Sequence, residues 1–284
     1  MRWSQGQWSE ERLIHAVNTT DRYFAMPYGP SGTAPKGVRE FELYFEGLEK
    51  AGLCKLKRPD LLIFHKADQP DVEHLVVELG GLAELPFTSE TNSHLQQLLM
   101  KSIIAVECEN SLWVAMQMPD YNAPLKVQKR LRGQLGLKKN AVLPTVIVKD
   151  EDRVFLMRWQ KEHGVPIHIW HAFYDLAFGQ SLNTAESLIK EAKIEPSVQT
   201  FQAPGGQTSK KIIYKFYHHY AYQLGETQGE VSLLPDKIVD ANGHILPYVR
   251  FHGGVIKLDA DALKQLDTEA QLERSLLSIA KDGE

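Results

Sequence analysis

Ile103-Ile104-Ala105-Val106-Glu107-Cys108-Glu109-Asn110 is the stretch on which the fold turns. Ile104, Val106 and Cys108 alternate with Ala105, Glu107 and Glu109, the period of a β-strand whose successive side chains leave opposite faces. Both glutamates therefore project from one face. Two like charges side by side on a strand repel each other unless a cation stands between them. The strand thus asks for positive charge as well as for a sheet.

Upstream, Arg58-Pro59-Asp60-Leu61-Leu62-Ile63-Phe64 reads as a short apolar strand entered through a proline. Before it, Val38 to Ala51 reads as a helix with Val38, Phe41, Phe45 and Leu48 on one face and Gly52 as its stop. Glu42, Glu46 and Glu49 share a neighbouring face. Residues 8–17 read as a short helix, and residues 24–36, rich in Pro and Gly, as a loop. Between the two strands, residues 65–102 read as an insertion with an apolar stretch, Leu75 to Leu82, and a helix near Ser93 to Lys101.

Downstream, residues 116–140 read as loop and helix crowded with cations, and Leu143 to Val148 as a buried strand. A helix with the acidic start Asp150, Glu151 and Asp152 runs to about Glu162, where Gly164 ends it. Val165 to Phe173 is another apolar strand. Helices and strands in this order predict a mixed α/β core. Past residue 200, Lys211 to Leu224 is aromatic and strand-like. Ile238 to Leu258 reads as two strands joined at Asn242-Gly243, and Asp259 to Lys281 as a closing amphipathic helix. The expected organisation is a core over residues 1–200 and a β-rich segment over 201–284, packed on that core.

At 43% hydrophobic and 24% charged residues, the chain has the composition of an ordinary globular protein. Two cysteines, Cys54 and Cys108, provide neither a disulfide framework nor zinc spacing. There is no run of 18 apolar residues and no apolar stretch at the N-terminus, so a cytoplasmic, prokaryotic protein without a membrane partner is expected. A net charge of −4 is not that of a non-specific nucleic-acid glue, so any basic surface must be local. Lys126, Lys129, Arg130, Arg132, Lys138 and Lys139 fall in fourteen residues without an acid, and Lys210 and Lys211 open the aromatic strand. Their functional reading is phosphate contact. The competing reading is a solvated face. His168, His171, Trp159 and Trp170 read as structural, and Asp120 as a turn or cap residue.

Pro59-Asp60 and Glu107-Cys108-Glu109, in this order and on neighbouring strands, form a carboxylate cup of the kind that holds Mg²⁺. The sequence resembles the PD-(D/E)xK nuclease superfamily, and within it the type II restriction endonucleases, best over residues 38–175. It does so through the Pro59-Asp60 strand, the Ile103–Trp113 strand, Met118-Pro119-Asp120-Tyr121 and Leu143–Lys149. The resemblance implies a restriction-endonuclease-like core with a mixed central sheet flanked by helices. It also implies Mg²⁺-dependent hydrolysis of double-stranded DNA, a homodimer, and a cognate DNA methyltransferase in the same cell. By residue-wise transfer Asp60 and Glu107 bind metal, Cys108 lies in the metal shell, and Glu109 stands where the family has its lysine, making an ExE variant.

A helix ahead of the Pro-Asp strand often adds an acid in this superfamily, and Glu46 or Glu42 would fill that place. A rival motif uses Glu78, whose spacing from Asp60 is more usual but which puts Gly80 at the lysine position. Two other functions share the same residues: a structure-directed repair or recombination nuclease, and a non-catalytic DNA-binding protein on the same fold.

Overall fold

A computed structural model of the chain describes residues 2–33, 38–51, 57–202, 208–239 and 243–282. It opens with α1 (Arg2–Asn18), β1 (Tyr23–Pro27), a single turn α2 (Pro30–Thr33) and α3 (Val38–Lys50). Then come β2 (Leu61–His65), α4 (Gln69–Glu78), α5 (Ser93–Lys101) and β3 (Ile104–Asn110). The predicted α3, β2, α5 and β3 are all present.

Two expectations about the N-terminal part are corrected. The helix at 8–17 begins at Arg2, and the presumed loop at 24–36 contains β1. Tyr23, Phe24, Ala25 and Met26 are all buried in that strand. Pro27 closes it at the free edge of the sheet, where the absence of an N–H costs no ladder bond. β2 and β3 are adjacent and antiparallel, with Leu61 opposite Val106, and the insertion between them is helical.

The second half holds a two-residue pair, β4 (Lys126–Val127) and β5 (Leu135–Gly136), then β6 (Thr145–Lys149), α6 (Asp150–His163), β7 (Ile167–Ala172), β8 (Leu176–Ser181) and α7 (Leu182–Lys190). After them come β9 (Ser197–Gln202), β10 (Thr208–Tyr217), β11 (Tyr222–Val239), β12 (Ile245–Leu258), α8 (Ala260–Lys264) and α9 (Ala270–Asp282). Among the described residues the main sheet has seven strands in the order β1-β2-β3-β7-β8-β11-β12, and β6-β10-β9 form a second sheet. Only the β3–β7 pairing in the main sheet is parallel, so the sheet is mixed, as expected of a restriction-endonuclease-like core.

Residues 116–140 contain no α-helix: Lys126 is on β4, Lys129 and Arg130 are on a 3₁₀ turn, and Arg132, Lys138 and Lys139 are on the turns and connections beside them. The predicted strand at 143–148 forms as β6, but it joins β10 instead of the main sheet. The hairpin expected from residue 238 starts earlier, at Tyr222, and its predicted turn residue Asn242 lies outside the described residues. The closing helix runs without a break from Ala260 to Asp282 but is loosened to π geometry over Gln265–Glu269.

Each face of the main sheet buries its own core. Phe24, Leu62, Phe64, Ala105, Ile169 and Phe178 pack on one face with residues of α4 to α7. Leu61, Ile63, Ile104, Val106 and Trp170 pack on the other against Leu13, Ala16 and Val17 of α1 and Ala262 and Leu266 of the closing helix. Every residue of β7 and β8 is buried, which is the expected cost of lying at the centre of a covered sheet.

Candidate active site

The site lies where β2 begins and β3 ends. Asp60 is held by its backbone before its side chain is used: its carbonyl accepts N–H bonds from Tyr28 at 2.7 Å and Gly29 at 3.1 Å. A Cβ at Gly29 would lie 2.9 Å from the Pro59 carbonyl oxygen and 3.1 Å from the Asp60 Cα, so only glycine lets the turn after β1 approach this closely. Behind it the buried Arg58 donates to the carbonyls of Leu85 (2.6 Å) and Thr88 (2.9 Å) and pairs with Glu90 at 2.6 Å, tying the helical insertion to the mouth of β2.

The antiparallel register of β2 and β3 then brings Asp60 to the ExE segment. Oδ2 of Asp60 accepts the backbone N–H of Cys108 at 2.7 Å. The Cys108 thiol packs toward the α1 side of the sheet, and burial pushes its pKa well up. Glu107 is buried, with its Oε1 gripped by the ammonium of Lys57. Its Oε2 is buried without a hydrogen-bond partner. Glu109 lies 3.5 Å from Lys149 at the end of β6, a lysine shared with Asp152 at 3.1 Å. The two glutamates of β3 are thus paired with two different lysines, neither of them on β3.

The electrostatics follow from burial. Glu107 is pushed up to about 8 by desolvation and then by Asp60, which together outweigh the ion pair with Lys57. Burial also raises Glu109, against the pull of Lys149 and Lys57. Burial alone disfavours the Lys57 ammonium, but Glu107, Asp60 and Asp152 more than reverse this and raise its pKa.

One acid was not foreseen in the sequence. Glu10 of α1 is pushed up to about 8 by burial and then by the negative charge of Asp60. Glu10, unlike the expected Glu46, lies in the field of Asp60. Glu46 is instead on the exposed face of α3, 3.6 Å from Lys50; the side chain of Glu42 lies outside the described residues. The rival Glu78 ends α4 on the surface, 3.8 Å from His74. Nothing in α1 marks Glu10 as different from its neighbour Glu11; only the packing of that helix over the ends of β2 and β3 selects it.

His171 pairs in register with Glu109 across β3 and β7. Its ring is buried, stacked on Phe173 at 4.6 Å, with no partner on either nitrogen, and burial lowers its pKa to about 3. It stays neutral, consistent with the structural role expected of it.

Among the described residues, no three Asp, Glu, His or Cys side chains form a ready metal cluster. The donor set nonetheless suits Mg²⁺ by type: hard carboxylate oxygens, crowded and partly desolvated, one of them unpartnered.

The predicted phosphate-contact residues divide into two kinds. Lys126, Lys129, Arg132, Lys138 and Lys139 are exposed on and around the β4–β5 ribbon, with Lys138 drawn 2.9 Å from Asp120. Arg130 turns inward to Glu195 at 2.6 Å, the Leu137 carbonyl at 2.6 Å and the Tyr217 hydroxyl at 3.2 Å, and so braces the ribbon. Lys210 is exposed on β10, and Lys211 pairs with Glu151.

Residues 2–80 match the family model of the AccI restriction endonuclease. The match runs from α1 through α4 and includes Glu10 and Asp60, but stops before β3. No curated protein and no solved structure matches the chain.

Proposed function

We propose that this chain is a type II restriction endonuclease of the PD-(D/E)xK superfamily, an ExE variant that hydrolyses double-stranded DNA at a specific sequence with Mg²⁺. The match of residues 2–80 to a restriction endonuclease family supports the nuclease class. The observation that supports the mechanism is that Glu107 and Glu10 each lie buried in the field of Asp60 and are each raised to about 8. Such crowding is unfavourable on its own and is relieved by a cation.

Asp60 and Glu107 would hold the metal, with the backbone at Cys108 fixing their spacing, and Glu10 would supply a further carboxylate. When bound, Mg²⁺ supplies charge neutralisation at the scissile phosphate and lowers the pKa of water. The chain's own residues do the rest. The Cys108 N–H orients the Asp60 carboxylate. Glu109, paired with Lys149 and on the same side of β3 as Glu107, would accept a proton from an attacking water. The β4–β5 ribbon offers cations for backbone contact. The reading further takes the chain as a cytoplasmic homodimer, each protomer cutting one strand of a two-fold site, with a cognate methyltransferase in the same cell. The β-rich segment from residue 201 would help grip the DNA.

The test is incubation of the purified chain with phage-sized DNA, with and without Mg²⁺. Discrete Mg²⁺-dependent fragments establish the site-specific endonuclease. A smear assigns a structure-directed or non-specific nuclease, and intact DNA across several sources despite salt-sensitive binding assigns a binding protein.

A further inference from the structure

We propose that Lys57 is a positioning residue for this reaction, fixing Glu107 through Oε1 so that the unpartnered Oε2 is presented to the reacting centre. The inference rests on the nuclease reading above. Three observations carry it. First, the contact is specific: the Lys57 ammonium reaches Glu107 while also lying in the field of Asp60 and Asp152. Second, the contact divides the carboxylate, since Oε1 is occupied and Oε2 is buried with no partner. A carboxylate held at one oxygen is restrained in its rotation, and its second oxygen stays free to take another partner. Third, the ion pair is shielded, with side-chain exposures of 26% for Lys57 and 8% for Glu107, so water screens it little. A surface pair of the same residues would hold nothing in place.

Lys57 enters from the segment that leads into β2 and reaches across to Glu107 of β3. Position 109 of β3 holds a glutamate, so β3 itself provides no cation. Lys149 does not duplicate the arrangement: it approaches Glu109 only to 3.5 Å and is divided between that residue and Asp152. The cation that meets the buried glutamate comes from outside the strand. It lies three residues before Asp60, so the motif's first acid and its positive charge travel on one short stretch of chain.

The test compares the wild-type chain with Lys57→Met and Lys57→Arg, each checked for folding by its melting curve. The readouts are the single-turnover cleavage rate with Mg²⁺ and, separately, DNA affinity with Ca²⁺. Lys57→Met should lower the rate on the order of 100-fold, the scale of removing one preorganised charge, while DNA affinity stays within about 5-fold. Lys57→Arg, which keeps the charge, should recover about 10-fold of that loss. A Lys57→Met chain that cleaves within about 3-fold of wild type overturns the proposal and leaves the nuclease reading intact. An equal loss of rate and affinity also overturns it, since Lys57 would then be a phosphate contact. If Lys57→Met does not fold, Lys57→Arg decides alone: cleavage within about 30-fold of wild type supports the proposal and a greater loss overturns it. A wild-type chain that cuts no DNA fails at the earlier step and takes both readings with it.

Discussion

The backbone N–H of Cys108 donates to Oδ2 of Asp60 at 2.7 Å, across two strands that meet in antiparallel register. This bond joins the two halves of the motif although 47 residues lie between Asp60 and Cys108 in the sequence. It fixes which side of Asp60 faces β3, and it places the carboxylate beside Glu107 by geometry that does not depend on a bound ion. The helical insertion can therefore be long without loosening the site, because Arg58 clamps it at the point where β2 starts.

Asp60→Ala and Glu107→Ala should each reduce Mg²⁺-dependent cleavage by at least about a thousand-fold, the scale of losing charge stabilisation built into a site. DNA affinity in Ca²⁺ should change little, since neither residue is on the exposed basic ribbon. Gel-shift titration beside cleavage assays separates the two. Glu78→Ala and Glu46→Ala, both at surface ion pairs, should cut at near wild-type rates. An inactive Glu78→Ala chain would transfer the motif to α4.

The metal-free fold should lose stability as the pH rises from about 4.5 to about 8. Glu10 and Glu107 ionise near the ordinary value of 4.5 in the unfolded chain and near 8 when folded, so folding takes up protons within that window. The stability they withhold is small below 4.5 and greatest above 8. Melting temperatures without divalent ions should accordingly fall between pH 6 and pH 8, and a Glu10→Gln, Glu107→Gln chain should show a flatter profile. Added Mg²⁺ should raise the melting temperature more at pH 8 than at pH 6, because at the lower pH it must displace protons.

Gly29→Ala tests whether the backbone grip on Asp60 matters. The added methyl would meet the Pro59 carbonyl at 2.9 Å, and backbone cannot yield as a flexible side chain does. A displacement of Asp60 by even part of an ångström should lower cleavage by about 10- to 100-fold. The melting temperature should drop as well, but DNA affinity should hold. A Gly29→Ala chain with normal cleavage would show that the turn after β1 does not set the site.

The strands that carry the motif were legible because their patterns are local. β3 alternates apolar and acidic residues, β2 is a short apolar run behind a proline, and α6 has acids at its start and Gly164, at φ 66°, at its end. What escaped was set by tertiary contact. Tyr23–Pro27 contains a proline and precedes glycines, so its composition resembles a loop, yet pairing with β2 makes it a strand. β6 has the apolar run of a central strand but lies in the second sheet, since hydrophobicity does not say which neighbour a strand will choose. Glu10 and Lys57 were hidden for the same reason. Each is a single charged residue in a charged neighbourhood, and only the crossing of α1 and the entry to β2 over the end of β3 gives it a role.

The basic ribbon yields the last prediction, because its cations split by orientation. Lys126, Lys129, Arg132 and Lys139 are exposed, whereas Arg130 is committed to Glu195, Leu137 and Tyr217. Replacing the four exposed residues by Ala should weaken DNA binding on any sequence. It should also flatten the salt dependence, each lost phosphate contact lowering the slope of log K against log salt by about 0.9. The melting temperature should be unaffected. Arg130→Ala should do the opposite. It strips an ion pair and two hydrogen bonds from partly buried partners, so stability should fall by about 2 kcal/mol while the salt slope is nearly preserved. Binding isotherms at several salt concentrations, run beside melting curves, separate the two behaviours. If the four-residue variant keeps its full salt slope, the ribbon does not contact the phosphates, and the DNA must lie across another face of the sheet.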